Sequence, residues 1–258
     1  VQSWTSSKAT VQAANAGHPV IVSAGYYLDW LTSAGSFYDI DPLDPLGFGM
    51  SQETLAKIKD SPLSMLAGER FALDTDLELN SDAQAHILGG VTTMWAEVVT
   101  QEKLDSNTWP RSAAFAERMW SSASIRDTND MYRRLLIVDR QLEMFGMRHH
   151  SDRARMLSRL APANVDVLTT FASAVEPTKF YATNKVLRTL GAVYDQTFNN
   201  LTDAVPPENL SAQMFMLEVQ EWLTAGAEAG VEERVIRSRL SGWRDNHALF
   251  TRLAENSE

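Results

Sequence analysis

Two short blocks of this sequence combine aromatic rings with carboxylates at close spacing. Tyr27 and Asp29 follow one β-branched run, and Trp95 and Glu97 follow another. Residues two positions apart on a strand point to the same face, so each pair can present a ring and a carboxylate to one ligand. This combination is typical of a sugar site, because the flat face of a pyranose stacks on an aromatic ring and its hydroxyls need strong acceptors.

Parallel strands are the elements that must position these residues. Apolar, β-branched runs predict the strands, and apolar residues at helical spacing predict the helices between and after them. The predicted strands span about 2–4, 19–24 and 86–93. The predicted helices span 7–16, 51–59, 110–120 and 127–146. Strands alternating with helices indicate a parallel sheet and an α/β fold, in which active residues lie at the carboxyl ends of the strands.

The remainder of the chain has a different pattern. From Asp152 onward the sequence predicts helices alone, beginning near Asn164, Pro207 and Val231. Two or three strands do not close a sheet, so the first part is expected to be incomplete. We therefore predict a domain at 1–151 that holds the strands and an all-helical domain at 152–258.

Composition excludes several classes of function. The chain of 258 residues has a net charge of −10, which argues against binding to nucleic acid. No apolar run approaches the roughly 18 residues of a membrane span. The sequence contains no cysteine and no Gly-rich phosphate loop, and we expect neither a cofactor nor a metal. His149 and His150 are interpreted as a solvated helix end.

The first residues indicate a start within a longer protein. The chain begins at Val1 without an initiator Met, and its opening residues lack the features of a signal peptide. We therefore expect the true amino terminus to lie upstream.

Each candidate residue also has a structural interpretation. Tyr27 could pack in the core while Asp29 caps a turn, and Trp95 could be a core residue beside a surface Glu97. Trp4, taken alone, is expected to lie in the core. Arg111, Glu117 and Arg118 are predicted to make buried ion pairs and packing contacts on a helix of the outer layer.

The blocks around these residues, taken in order, resemble family 20 glycoside hydrolases, the β-N-acetylhexosaminidases. The resemblance covers roughly residues 1–150 and implies the last strands and helices, strands six to eight, of a (β/α)8 TIM-type barrel. It implies a role for each candidate residue: Trp4 and Trp95 form an aromatic pocket around the acetamido group, Tyr27 holds the acetamido oxygen, Asp29 contacts sugar hydroxyls, and Glu97 binds the outer hydroxyls of the terminal sugar. Tyr26 departs from the pattern where a Trp is common, and so do Val91 and Thr92, which replace a frequent Glu-Ala.

The same resemblance implies chemistry that this chain does not complete. Family members use an adjacent Asp-Glu pair after the fourth strand and a substrate-assisted mechanism in which the acetamido oxygen attacks the anomeric carbon. No residue here matches that pair. The chain is therefore expected to supply the substrate-binding part of an exo-acting enzyme and to be inactive alone, with the acid and the orienting Asp upstream.

Other interpretations remain open at this point. The chain could be a non-catalytic carbohydrate-binding relative, a helical interaction module, or part of another barrel glycosidase that uses two protein carboxylates. The expected partners are an oligosaccharide ending in N-acetylhexosamine and the missing amino-terminal half of the barrel, with a homodimer as an open alternative. The compartment is not fixed, although a bacterial protein that is periplasmic or secreted is favoured over a cytoplasmic one.

Overall fold

The computed structural model describes residues 1–43, 77–181, 191, 200–226 and 230–255. The chain divides into two compact units. Unit 1 comprises Val1–Val99, Asn107–Thr128 and Thr178–Gln196, and unit 2 comprises Thr100–Ser106, Asn129–Pro177 and Thr197–Glu258. This division differs from the boundary predicted at residue 151, because residues 129–151 fall in unit 2 and residues 178–181 fall in unit 1.

Unit 1 contains a parallel sheet of three short strands, β1 (Gln2–Ser3), β2 (Val20–Val22) and β3 (Ile87–Gly90), in the order β1-β2-β3. In the register, Ser3 pairs with Val22, and Val22 pairs with Gly90. The predicted positions and the parallel direction of the strands are therefore confirmed. Each strand is shorter than the run that predicted it.

The two faces of this sheet differ in exposure. Val20 and Val22 are buried, whereas Ile21 between them is 41% exposed, as the twofold period of a strand requires. Leu88 on β3 is 67% exposed. One face therefore packs into a core, and the other carries apolar side chains that no described residue covers. The buried members of that core are Ala14, Val20, Val22, Tyr26, Leu28, Phe37, Ile40, Ala83 and Phe115.

Helices and short 3₁₀ turns connect and follow the strands of unit 1. Helix α1 (Ser7–Asn15) crosses from β1 to β2; the Ser6 hydroxyl accepts from the Ala9 amide, and Gly17 with φ of +81° follows the helix end. Two further helices are α2 (Ala34–Tyr38) and α4 (Arg111–Trp120). The 3₁₀ turns span Leu28–Trp30, Asp82–His86 and Ala96–Val98.

The close approach of α4 to the sheet explains the glycine at the end of β3. A Cβ atom on Gly90 would lie 3.1 Å from Met119 Sδ, 3.1 Å from Tyr26 Cε2 and 3.2 Å from Phe115 Cζ. Any larger residue would force these side chains to shift. Gly90 therefore serves helix-to-sheet packing.

Unit 2 is helical in the part that the structure describes. Helix α3 (Gln101–Thr108) begins in it, and the others are α5 (Thr128–Met144), α6 (His149–Leu160), α7 (Val165–Ala172), α8 (Leu201–Ala204), α9 (Leu210–Thr224) and α10 (Val231–Glu255). Its core is built from Met156, Leu157, Ala161, Leu168, Ala172, Ala204 and Val205. Beyond residue 152 the described residues form helices and no strand, as predicted, whereas the helix predicted at 51–59 lies outside the described residues. Within these ranges, no helix has both the length and the apolar character needed to cross a membrane.

Candidate active site

Backbone pairing continues past the regular strands and brings the candidate residues together. Tyr27 forms an isolated parallel bridge with Thr93. The Thr93 amide donates to the Tyr26 carbonyl at 3.0 Å, and the Leu28 amide donates to the Thr93 carbonyl at 2.9 Å. Trp4 directly follows β1. The three chain segments therefore leave the sheet side by side at its carboxyl end.

Three aromatic rings from these segments form a cluster. The indole centroids of Trp4 and Trp95 are 5.6 Å apart, and the Tyr27 and Trp95 centroids are 6.4 Å apart at an interplanar angle of 86°. The ring centroids of Trp30 and Tyr27 are 4.6 Å apart at an interplanar angle of 88°. Tyr27 is 8% exposed, whereas Trp4 is 52% and Trp95 is 38% exposed. The expectation that Trp4 lies in the core is wrong, because its indole stands at the surface of this cluster.

The Tyr27 hydroxyl has a partner within the protein. It donates to the carbonyl oxygen of Trp4. A phenol has one proton to donate, so a ligand oxygen that takes this bond replaces the Trp4 carbonyl as its acceptor. The bond holds the Tyr27 hydroxyl at the backbone of Trp4, whose indole is part of the aromatic cluster.

Asp29 lies buried beside this cluster. Its side chain is 1% exposed, its Oδ1 accepts from the Trp95 amide at 3.1 Å, and its Oδ2 accepts from the Tyr181 hydroxyl. Burial raises the pKa of Asp29 to about 6, and the nearby charge of Glu97 adds to this effect. The backbone amide of Trp95 and the charge of Arg111 act in the opposite direction.

Arg111 anchors the turn that carries Asp29. Its guanidinium is fully buried and donates to the carbonyls of Leu28 at 2.7 Å, Thr32 at 2.8 Å and Asn107. The guanidinium carbon also lies 5.7 Å from the centroid of the Phe37 ring. The structural role predicted for Arg111 is consistent with these contacts, which include hydrogen bonds to three backbone carbonyls.

The other two charged residues of α4 also contact neighbouring segments of unit 1. The Arg118 guanidinium lies 3.2 Å from Asp41 Oδ2 and donates to the Ile40 carbonyl at 3.1 Å. Glu117 accepts from the Tyr38 hydroxyl at 2.8 Å. Arg118 therefore makes the predicted ion pair, and Glu117 accepts a hydrogen bond from a phenol.

The prediction that each aromatic–carboxylate pair lies on one face of a strand is wrong. Neither pair lies on a regular strand, because β2 ends at Val22 and β3 ends at Gly90. Asp29 lies in the 3₁₀ turn Leu28–Trp30, and Glu97 lies in the turn Ala96–Val98. The residues nevertheless meet at one end of the sheet, because the extended segments before these turns remain hydrogen-bonded to each other. Glu97 is exposed, and its charge acts on Asp29.

Tyr26 occupies a position in the core rather than in the aromatic cluster. It is fully buried, and its ring lies 4.8 Å from Phe115 and 6.5 Å from Phe37. Burial raises the pKa of its phenol. The substitution of Tyr for the usual Trp therefore changes helix-to-sheet packing rather than the surface where Trp4 and Trp95 stand.

Two groups of contacts were not predicted from the sequence. The first is the segment Thr178–Tyr181, whose Tyr181 reaches Asp29; no motif marks it. The second is Asp139, His149 and His150, whose ligand atoms all lie within 4.8 Å of one another. The interpretation of the His pair as solvated is wrong for His149, which is 5% exposed, because α5 packs against the start of α6 through Asp139.

Comparison with known proteins gives the context for this site. Residues 1–123 match the model of the glycosyl hydrolase family 20 catalytic domain. The β-hexosaminidase subunit beta of Homo sapiens is 31% identical over 119 residues, which are 46% of this chain and 16% of that protein. The β-hexosaminidase of Porphyromonas gingivalis is 30% identical over 155 residues, which are 58% of this chain and 18% of that protein.

A solved structure extends the similarity over almost the whole chain. The chitobiase of Flavobacterium johnsoniae superposes with a TM-score of 0.74 at 26% identity, covering 99% of this chain and 35% of that one. The matched segment spans less than a fifth of the length of the two curated relatives. The family resemblance drawn from the sequence is confirmed by these matches. Residues 1–123 of this chain are similar to the catalytic domain of glycoside hydrolase family 20.

Proposed function

We propose that this chain forms the sugar-binding part of an exo-acting β-N-acetylhexosaminidase. Its substrate is a terminal N-acetylglucosamine or N-acetylgalactosamine on a glycan or chitooligosaccharide. The observation that carries the proposal is the cluster of Trp4, Tyr27 and Trp95 beside the buried Asp29, at the carboxyl end of three parallel strands. That end of the strands is where a (β/α)8 barrel holds its active site.

The chemistry of the cluster suits an acetamido sugar. The exposed indoles of Trp4 and Trp95 offer apolar surface to a methyl group and a sugar face, and the Tyr27 hydroxyl, which donates to the Trp4 carbonyl, offers a donor. In a substrate-assisted reaction the acetamido oxygen attacks the anomeric carbon, and a donor aimed at the acetamido group orients it and stabilises the charge that develops. We assign this donor role to Tyr27.

The two carboxylates bind hydroxyls in this proposal. Each carboxylate oxygen offers two lone pairs, so Asp29 keeps acceptor capacity after bonding the Trp95 amide and Tyr181. Glu97 is exposed on the turn that follows Trp95, where the outer hydroxyls of a terminal sugar would reach it. Both interactions are hydrogen bonds to a charged acceptor, the stronger class of such bonds.

The catalytic acid and the residue that orients the acetamido nitrogen lie outside this chain in the proposal. They are expected on earlier strands of a barrel of which β1, β2 and β3 are the last three. The uncovered apolar face, with Ile21 and Leu88, supports this arrangement, because it is the face that would line the barrel interior. The 258-residue chain alone is then inactive.

Hydrolysis by the complete protein that contains this chain tests the proposal. We expect turnover of an aryl β-N-acetylglucosaminide and no turnover of the aryl β-glucoside, which lacks the attacking acetamido group. Trp4→Ala should raise KM strongly, whereas Trp120→Ala, which removes an indole that is 93% exposed on α4, should not. Equal turnover of both glycosides, or equal effects of the two Trp variants, would overturn the proposal.

A further inference from the structure

The segment Thr178–Tyr181 returns to the candidate active site from far along the chain. It belongs to unit 1 but lies outside residues 1–123, which match the family model. The Phe180 amide donates to the Trp30 carbonyl at 3.0 Å, and the Phe180 and Trp30 rings lie 5.6 Å apart in an edge-to-face arrangement. The Tyr181 hydroxyl donates to Asp29 Oδ2.

The backbone of this segment is in an uncommon conformation. Phe180 and Tyr181 have φ values of +56° and +58°, in the left-handed region that bulky residues rarely adopt. Such conformations persist where surrounding contacts determine them, and they concentrate at functional sites. Here the contacts are with Trp30 and Asp29, two residues of the turn beside the aromatic cluster.

We propose that Tyr181 is a positioning residue of the sugar site, which orients the Asp29 carboxylate for the hydroxyls of a terminal sugar. This inference rests on the proposed function. The Trp95 amide holds Oδ1 and Tyr181 holds Oδ2, so the carboxylate plane is fixed from both sides before a ligand arrives. A fixed acceptor loses little entropy on binding, which is the advantage of preorganisation.

The polar and charged groups around Asp29 determine how removal of the Tyr181 hydroxyl should change the pKa of Asp29. Glu97 repels the carboxylate, while Arg111, the Trp95 amide and the Tyr181 hydroxyl favour its charged form. Tyr181→Phe keeps the ring and removes one hydrogen bond to the charged form. The pKa of Asp29 should therefore rise in this variant, which a purely structural role for the ring would not produce.

The test compares Tyr181→Phe with Tyr132→Phe in the complete protein. Tyr132 is a buried tyrosine of α5 in unit 2, so its variant controls for the general cost of removing a tyrosine hydroxyl. We expect Tyr181→Phe to raise KM for an aryl β-N-acetylglucosaminide about tenfold with kcat little changed, because one charge-assisted hydrogen bond no longer holds the acceptor. The carbon-13 resonance of the Asp29 carboxyl, followed against pH, should titrate at higher pH than in the unsubstituted protein.

The two readouts separate this inference from the function on which it rests. A wild-type titration of Asp29 in Tyr181→Phe would overturn the positioning role, whatever the activity. A shifted titration without hydrolysis by the unsubstituted protein would support the contact and overturn the proposed function instead. A KM change equal to that of Tyr132→Phe would also count against Tyr181.

An independent observation concerns Asp139, His149 and His150 in unit 2. His149 Nε2 lies 3.0 Å from Asp139 Oδ1, and His150 Nε2 lies 2.8 Å from Asp139 Oδ2. The side chains of Asp139 and His149 are buried, whereas that of His150 is 43% exposed and opens the group to solvent. Glu143, one turn further along α5, adds negative charge near His150, and Arg153 on α6 adds positive charge.

We infer that these three side chains form a binding site for a divalent transition metal such as zinc. Two imidazoles and one carboxylate are ligands that zinc prefers, and a water entering beside His150 would complete a tetrahedral set. The ligand atoms already converge on one region, so only small side-chain movements bring them to metal distances. A bound dication would replace the protons that the imidazoles now place against the carboxylate.

Cobalt binding by the complete protein, after treatment with a chelator, tests this site. We expect one equivalent of Co²⁺ to give the visible absorption of tetrahedral coordination and to be displaced by Zn²⁺. Asp139→Asn and His150→Gln should abolish the signal, whereas His247→Gln, which removes an exposed histidine of α10, should keep it. Absence of the signal in the unsubstituted protein, or its retention in His150→Gln, would overturn the inference.

Discussion

The indole rings of Trp4 and Trp95 lie 5.6 Å apart, although Trp4 follows the first strand of the sheet and Trp95 comes after the third. The phenol of Tyr27, from the middle segment, lies close to both through its bond to the Trp4 carbonyl and its edge-on contact with Trp95. The parallel order β1-β2-β3 makes this meeting possible, because it places the three carboxyl ends side by side.

Tyr27→Phe should lower kcat more than it changes KM in the complete protein. The variant retains the ring that contacts Trp30 and Trp95 and loses only the hydroxyl. The hydroxyl is assigned to a charge-developing contact, so its loss affects the transition state more than the ground state, by about 10²-fold. Steady-state kinetics with an aryl β-N-acetylglucosaminide measure both constants. Wild-type turnover by this variant would remove Tyr27 from the mechanism.

Glu97→Gln should weaken binding of the terminal sugar by roughly 1 kcal/mol, because a charge-assisted hydrogen bond worth about 1.5–3 kcal/mol becomes a neutral one worth about 0.5–1.5 kcal/mol. KM reports this effect at neutral pH. Trp95, whose amide binds Asp29, stays in place in the variant, so kcat should change less than KM. An unchanged KM would mean that Glu97 does not contact the sugar.

Substrate binding should weaken as the pH falls below about 6. Burial raises the pKa of Asp29 to about 6, and a protonated Asp29 loses part of its capacity to accept from sugar hydroxyls. Glu97 also raises this pKa, so Glu97→Gln should move the midpoint of the acid limb to lower pH. The pH dependence of KM in the two proteins gives both midpoints. A midpoint that stays in place would show that Glu97 does not act on Asp29.

The strands could be predicted from the sequence, whereas the turns that complete the site could not. β-Branched runs such as that at Val20–Val22 have a period that identifies a strand, and the family motifs identify the residues that follow it. The 3₁₀ turns that hold Asp29 and Glu97 have no comparable period, so the argument from positions two apart failed. The contact of Tyr181 with Asp29 joins residues distant in sequence, and only the folded chain brings them together. The burial of His149 likewise depends on the packing of α5 against α6.

The cluster of Asp139, His149 and His150 should make the free energy of unfolding of unit 2 depend on pH in a defined direction. The hydrogen bond to Asp139 raises the pKa of His150 above its ordinary value. The stabilisation that protonated His150 contributes is therefore complete below about pH 6.5, and it is lost as the pH rises through the pKa of His150 in the folded protein. Burial alone would raise the pKa of Asp139, but the hydrogen bonds from His149 and His150 hold it below its usual range. The stabilisation that the Asp139 carboxylate contributes is therefore present at neutral pH and is lost only in strong acid.

Amide hydrogen exchange in α6 measures this dependence when His150→Gln is compared with the unsubstituted protein in the presence of a chelator. The free energy of opening obtained from the exchange rates should differ between the two proteins by about 0.5–1 kcal/mol near pH 6, a modest value because His150 is partly exposed. This difference should shrink by pH 9. A difference that grows with pH would contradict the sign of the linkage.

The 258-residue chain expressed alone should associate or bind hydrophobic dyes. Ile21 and Leu88 on the uncovered sheet face are 41% and 67% exposed, and an uncovered face with open sheet edges favours association between chains. Supplying the upstream half of the proposed barrel should suppress this behaviour. A soluble monomer that unfolds cooperatively by both near-ultraviolet dichroism and calorimetry would contradict the expectation.

The most direct test of the central claim is a crystal structure of the complete protein with N-acetylglucosamine bound. The account predicts the acetamido group between the indoles of Trp4 and Trp95, its oxygen within hydrogen-bond distance of the Tyr27 hydroxyl, and the sugar hydroxyls on Asp29 and Glu97. A sugar bound at the carboxyl end of the sheet without contact to Tyr27 and Trp95, or bound only on another surface, would contradict it.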